Sequence, residues 1–154
     1  MKNWKLILGI VFVAILLISC DREDPVIVWS GAAITFEKAA FADPTLEENQ
    51  DRITENVWIT RGAINSIYNA VSQSSGSTNP AGTEWAFGKA ADYASLTFDT
   101  FQATHEKNAP SVVGRDMVLH LIEDDIYIDV RFTSWARKNN NGGGAFSYER
   151  STAN

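Results

Sequence analysis

The stretch Ile126-Tyr127-Ile128-Asp129-Val130-Arg131-Phe132-Thr133 alternates apolar β-forming residues with polar or aromatic ones. Successive side chains of a β-strand point to opposite faces of a sheet, so this alternation predicts a strand with one face in the core and the other at least partly in water. The predicted core face carries Ile126, Ile128, Val130 and Phe132. The predicted outer face carries Tyr127, Asp129, Arg131 and Thr133.

The preceding segment, Met117 to Ile122, is apolar on both faces except at His120, and Glu123-Asp124-Asp125 supplies a turn. Together the two segments predict an antiparallel hairpin. An even-length turn keeps the apolar residues of both strands on one face. The predicted register pairs Leu121 with Ile128, Leu119 with Val130, Met117 with Phe132 and His120 with Asp129.

Short apolar runs separated by turn-forming residues recur along the rest of the chain, without sustained helical periodicity. The predicted strands are Val26 to Trp29, Ala33 to Glu37, Asn56 to Arg61, Ile64 to Tyr68, Ala94 to Phe98, Asp116 to Ile122, Ile126 to Trp135 and Ala145 to Arg150. Glu47 to Ile53 fits one helical turn, and Glu84 to Ala94 fits a helix as well as a strand. The pattern predicts an all-β antiparallel sandwich, jelly-roll or immunoglobulin-like, with a small barrel as the alternative.

The N-terminus has the organisation of a secretory signal. Lys2 and Lys5 precede a run from Leu6 to Ile18 that is apolar throughout except at Gly9. As a helix this run would reach about 20 Å, against about 30 Å of bilayer hydrocarbon, so we expect cleavage rather than a permanent span.

The end of the apolar run, Leu17-Ile18-Ser19-Cys20, resembles a bacterial lipobox. The resemblance implies that Cys20 is lipidated and becomes the new N-terminus. We therefore expect a signal peptide at residues 1–19, a lipidated cysteine with a charged tether at 20–25, and one β-rich domain at 26–154. Acidic residues directly after such a cysteine resemble sorting signals, and we expect the outer membrane or cell surface rather than the inner membrane.

Composition excludes several chemistries. Cys20 is the only cysteine, so its lipidation leaves no thiol for a disulfide, a thiolate metal site or a cysteine nucleophile. The net charge of −6 disfavours a nucleic-acid partner. His105 and His120 are the only histidines, which are too few for most zinc sites, so no metal site is predicted from them.

Acidic and amide side chains are concentrated in one short segment. They are Asp43, Glu47, Glu48, Asn49 and Asp51. Oxygen ligands at this density can bind calcium, although they do not fit the EF-hand pattern, and a solvated acidic loop is the simpler interpretation. We expect no cofactor, with calcium as the one metal the composition allows.

Four stretches resemble a group of exported bacterial domains found in secreted or surface-anchored proteins. They are Asp51 to Gly62, Glu84-Trp85, Asp125 to Trp135 and Gly142 to Arg150, which includes Phe146-Ser147-Tyr148. The resemblance spans most of the chain after the tether. It implies export, an all-β fold and an envelope or extracellular location, and no catalytic or binding residue.

The tryptophans suggest that the chain could bind a sugar. Trp29, Trp58, Trp85 and Trp135 follow the signal segment. Aromatic platforms hold sugar rings, but tryptophans in a small domain more often fill the core. By strand alternation Trp135 shares the outer face with Tyr127 and Arg131, which makes these three the candidate binding residues.

The sequence thus favours a non-catalytic envelope module, anchored to the membrane by lipid, with a glycan or an envelope protein as its partner. The alternative is a small carbohydrate-active or other hydrolytic enzyme that uses a carboxylate pair. Its candidate residues are Glu84, Asp129 and Glu149.

The signal pattern generates a first prediction. Cys20→Ala removes the thiol that accepts lipid, so we expect it to abolish fatty-acid labelling and cleavage at this site. Labelling and gel migration of the expressed protein measure both. Ser19→Ala keeps a small residue at the cleavage site and serves as the control. Unchanged labelling and migration of the Cys20→Ala protein would contradict the lipoprotein assignment.

Overall fold

The computed structural model of the protein describes residues 25–76, 78–137 and 142–154. These residues form two β-sheets with little helix, which confirms the predicted all-β sandwich. The predicted signal segment and Cys20 lie outside the described residues. The strands are β1 (Ile27–Trp29), β2 (Ile34–Lys38), β3 (Asp51–Arg52), β4 (Trp58–Arg61), β5 (Ile67–Asn69), β6 (Thr83–Phe87), β7 (Asp116–Leu121), β8 (Ile126–Trp135) and β9 (Phe146–Arg150).

The large sheet has the strand order β2-β9-β8-β7-β6, and β1 pairs in parallel with the first part of β8. The small sheet has the order β3-β4-β5. All the other pairs are antiparallel. Within the described part of the chain β2 and β6 are not paired with each other, so the large sheet stays open and the barrel alternative does not hold there.

Strand β8 lies at the centre of the large sheet and has the predicted bounds. Its alternation is as predicted from Ile126 to Phe132: the four apolar residues are buried, whereas the residues between them are half-buried or exposed. The core lies between the two sheets, where Phe101 packs edge-on against Trp85 at 5.0 Å.

The predicted register of the β7–β8 hairpin is wrong by two residues. Leu121 pairs with Ile126, Leu119 with Ile128 and Met117 with Val130, so His120 lies opposite Tyr127 rather than Asp129. The turn closes early because Asp125 adopts a left-handed conformation, with φ of 48°. A shift of two residues leaves the same side chains on the core face, so the hydrophobic pattern does not distinguish the two registers.

The predicted strand from Ala94 to Phe98 is also wrong. After β6 the chain turns at Gly88, whose φ of 147° suits glycine, and enters a 3₁₀ helix at Ala90–Ser95. The backbone N–H of Ala90 donates to Asp129 Oδ1 at 2.8 Å, which fixes this helix over the outer side of the large sheet. The other predicted strands are present, most of them shorter.

Three short helical segments complete the described chain. They are a 3₁₀ helix at Glu47–Asn49, the α-helix α1 (Phe101–Thr104) and a 3₁₀ helix at Ala109–Val112. The first of these matches the helical turn expected before Ile53. None of the helices that the structure describes has the length and apolar character needed to cross a membrane.

A buried ion pair joins the two sheets. Asp51 of β3 accepts hydrogen bonds from Arg150 Nε at 2.7 Å and Arg150 Nη2 at 2.8 Å, and also from the Tyr148 hydroxyl at 2.7 Å. All three side chains are buried. Burial raises the pKa of Tyr148 well above its ordinary value, and the charge of Asp51 adds to this effect.

The buried pair generates a second prediction. Asp51→Asn leaves Arg150 charged and uncompensated in the interior, so we expect the free energy of unfolding to fall by about 3–5 kcal/mol. Urea unfolding measures the change. Asp116→Asn is the matched control, because it breaks only exposed pairs, with Arg131 and Lys89, and should cost about 0–1 kcal/mol. Equal losses in the two variants would contradict the central role of the buried pair.

Candidate functional site

Tyr127 belongs to an aromatic cluster on the outer face of the large sheet, the face turned away from the core. Its ring stacks on His120 at 4.2 Å with an interplanar angle of 6°. Tyr93 lies 4.5 Å from Tyr127, and Phe98 contacts both Tyr127 and His120. The ring of Tyr127 is therefore packed against its own chain rather than presented as an open platform for a sugar.

His120 lies between two carboxylates. Its Nε2 is 3.1 Å from Asp125 Oδ1, and its Nδ1 is 3.5 Å from Glu84 Oε2. The predicted contact with Asp129 is absent because of the register shift, and both ring nitrogens have partners. This group links the β7–β8 turn to β6 and offers no free nitrogen to a substrate.

The candidate residue Arg131 lies in a second group on the same face. Its Nη1 is 2.8 Å from Asp116 Oδ1, and Lys89 Nζ is 3.1 Å from Asp116 Oδ2. These three residues line a depression of about 310 Å³ together with Asp129 and Glu149.

The candidate carboxylates of the enzyme alternative are only partly brought together. Asp129 and Glu149 share the depression, but Glu84 does not line it. Asp129 already accepts a hydrogen bond from the Ala90 amide, which gives it a structural function.

Trp135 does not lie on the outer face, where the alternation of β8 predicted it. Between Phe132 and Ser134 the pairing of β8 with β9 shifts by one residue, and Ser147 Oγ lies 2.6 Å from Thr133 Oγ1 and 2.7 Å from Ser134 Oγ. A bulge of this kind reverses the orientation of every later side chain in the strand. Trp135 therefore packs on the core side, against Phe132 at 5.7 Å, and is separated from Tyr127 and Arg131.

On that side Trp135 lines a groove of about 580 Å³, here called the basic groove. Its lining residues are Arg61, Ile64, Asn65, Ser66, Gly76, Thr78, Gln102, His105, Lys107, Ala109, Pro110, Trp135 and Arg137. The ionisable side chains among them are arginine, lysine and histidine, and none is a carboxylate. The groove thus differs in charge from the chain as a whole, which is acidic.

Arg61 is a buried cation in the wall of the basic groove. It donates to the backbone carbonyls of Asn65, Ala136 and Ala145 at 2.8–3.1 Å, and its guanidinium lies 4.1 Å from the Trp135 ring centroid. Burial lowers the pKa of Arg61 to about 10, so it remains charged at neutral pH. No described carboxylate forms an ion pair with it.

Two polar side chains of the groove have no partner among the described residues. His105 is only 6% exposed, and neither of its ring nitrogens is hydrogen-bonded. Ser66 Oγ is likewise buried and unpaired. Both side chains are enclosed by the protein itself, so leaving these atoms without a partner lowers the free energy of unfolding.

Three of the five acidic and amide residues considered for calcium make other contacts. Asp43 accepts hydrogen bonds from the amide and hydroxyl of Thr45, Glu47 pairs with Arg52, and Asp51 belongs to the buried ion pair. Across residues 25–76, 78–137 and 142–154, no three His, Cys, Asp or Glu side chains gather as a metal site.

Most tryptophans serve the core, as the sequence favoured. Trp85 is 1% exposed, and Trp29 and Trp135 pack against the core while partly exposed. Trp58 lies under Arg52, whose guanidinium is 4.2 Å from the ring centroid. Trp135 thus packs on the core and also lines the basic groove.

No protein-family model, curated protein or solved structure matches this chain. Its function is therefore inferred from the residues and contacts above. Of the three candidate binding residues, only Trp135 lines the basic groove. Arg61, His105, Lys107 and Arg137 were not predicted as site residues, since they come from separate segments and match no motif.

His105 generates a third prediction. Burial lowers its pKa, whereas the unfolded chain protonates histidine near pH 6.5, so between the two pKa values the unfolded state binds more protons. Stability must then fall as the pH drops below about 6.5. His105→Phe keeps an aromatic ring beside Phe101 but cannot titrate. Urea unfolding of both proteins gives the free energy of unfolding of the wild type minus that of the variant. We expect this difference to decline from pH 7.5 to pH 5.5. A difference independent of pH would contradict the assignment.

Proposed function

We propose that the chain is a non-catalytic, lipid-anchored module of the bacterial cell envelope that binds part of a glycan or an envelope protein in the basic groove. Its location is supported by the signal pattern of residues 1–19, by Cys20 and by the resemblance to exported domains. The membrane is contacted through the acyl chains on Cys20. The outer membrane or the cell surface is the proposed location.

The observation that carries the binding function is the volume of the basic groove together with its positive charge. Ligand sites are typically concave, about 300–1,000 Å³ in volume, and combine apolar walls with a few polar groups. The basic groove has such a volume, with Trp135 in its wall and the unpaired atoms of His105 and Ser66 beside it. Lys107 and Arg137 line the groove with exposed cationic side chains that a ligand can reach.

The same residues favour binding over catalysis. A serine nucleophile needs a base within hydrogen-bond distance, yet neither Ser66 Oγ nor the His105 ring has any hydrogen bond among the described residues. The lining residues also include no carboxylate that could act as a general acid or base.

The depression beside Asp129 and Glu149 keeps the hydrolytic alternative as the second candidate, because two of the three candidate carboxylates line it. Its other charges are already paired with one another, through Asp116 with Lys89 and Arg131. The depression is therefore less available to a ligand than the basic groove.

The proposed site generates a fourth prediction. On an array of bacterial envelope glycans and peptides, we expect the wild-type protein to bind at least one member, and Trp135→Ala to weaken that binding about tenfold or more, equivalent to about 1.4 kcal/mol. Because Trp135 also packs on the core, the exposed Arg137→Glu variant tests the groove without disturbing the fold.

The matched controls lie on the outer face. Tyr127→Ala and Arg131→Glu make comparable changes outside the basic groove, so we expect them to leave binding unchanged. If they abolish binding while Trp135→Ala and Arg137→Glu retain it, the ligand site is the outer face. If Asp129→Asn abolishes hydrolysis of an array glycan, the enzyme alternative is correct.

A further inference from the structure

The charge of the basic groove indicates the charge of its ligand. The chain has 19 acidic and 13 basic residues, yet every charged residue that lines the groove is basic. Lys107 and Arg137 are exposed at its surface, and Arg61 is buried in its wall. Such a concave patch attracts an anionic group and repels the acidic surface of other copies of the chain.

Arg61 also has a free donor. A guanidinium carries five N–H groups. Four hydrogen bonds to carbonyls use Nε, both N–H groups of Nη1 and one of Nη2, which leaves one Nη2 N–H. This charged donor has no carboxylate partner among the described residues. A carboxylate in the groove would supply both the acceptor and the missing negative charge.

The remaining polar groups fit a saccharide. Asn65, Thr78 and Gln102 line the groove with amide and hydroxyl side chains, which can donate to and accept from sugar hydroxyls. Trp135 adds an indole, which packs against the C–H groups of a sugar ring. An acidic peptide would match the positive charge but would not need this combination of an indole with neutral donors and acceptors.

We infer that the basic groove binds a uronic acid unit of an acidic glycan, with the sugar carboxylate directed at the cations Arg61, Lys107 and Arg137 and the ring packed beside Trp135. This inference rests on the proposed function, since it names the ligand class of the same groove.

The test uses the full lipidated protein in detergent and isothermal titration calorimetry. The probes are trigalacturonate, its methyl ester, sodium sulfate and hexaglutamate. We expect trigalacturonate to bind, and the uncharged ester to bind at least about tenfold more weakly. Arg137→Gln should weaken trigalacturonate binding by up to about fivefold, as for one exposed ion pair.

Arg115→Gln is the matched control, because Arg115 packs on the Phe87 ring at 3.3 Å and does not line the basic groove. We expect it to bind trigalacturonate like the wild type. Urea unfolding of each variant separates lost binding from lost folding.

The possible results are distinct. Equal binding of the ester and the acid would overturn the inference while leaving a glycan-binding function in place. Binding of hexaglutamate or sulfate, but not of trigalacturonate, would overturn the glycan assignment. The inference would also be overturned if array binding depends on Trp135 but none of the four probes binds. The groove-binding part of the proposed function fails separately, if the array shows no binding that depends on the groove.

Discussion

The ion pair of Asp51 with Arg150 holds the two sheets in a fixed arrangement. β3 is only two residues long and cannot hold its position by backbone pairing alone. Arg150 and Tyr148 of β9 donate three hydrogen bonds to Asp51, which compensates the cost of burying its charge. The small sheet is thereby placed against the core face of the large sheet. The next strand of the small sheet, β4, ends in Arg61, so the position of the groove wall depends on this pair.

The bulge near Thr133 determines which face of the large sheet carries Trp135. Without it Trp135 would lie beside Arg131, on the face where the charged and aromatic side chains already pair with one another. The extra residue turns the indole toward Phe132, where Arg61 packs on it at 4.1 Å. Arg61 in turn binds the carbonyls of Ala136 and Ala145, the residues that flank the end of β8 and the start of β9. One irregularity of the backbone thus links both sheets at the groove.

The sequence predicted the structural features that follow from the alternation of apolar and polar residues. It missed the features that single residues decide. The bounds of β8 and its buried residues from Ile126 to Phe132 follow directly from a period of two. The hairpin register could not be predicted in this way, because a shift of two residues keeps every side chain on its face. Only the conformation of Asp125 decides the turn. The bulge gave no signal in the sequence. His105 and Arg61 meet at the groove only through tertiary structure, so no spacing could have identified them.

The contrast between the two polar regions is the strongest reason to place ligand binding at the groove. On the outer face His120 has a partner at each ring nitrogen, and Asp116 pairs with two cations. These groups satisfy one another and gain little from a ligand. In the groove, by contrast, Arg61, Lys107 and Arg137 form no ion pair with any carboxylate of the described residues. An anionic group therefore meets unpaired positive charge in the groove, whereas on the outer face it would have to compete with Asp116.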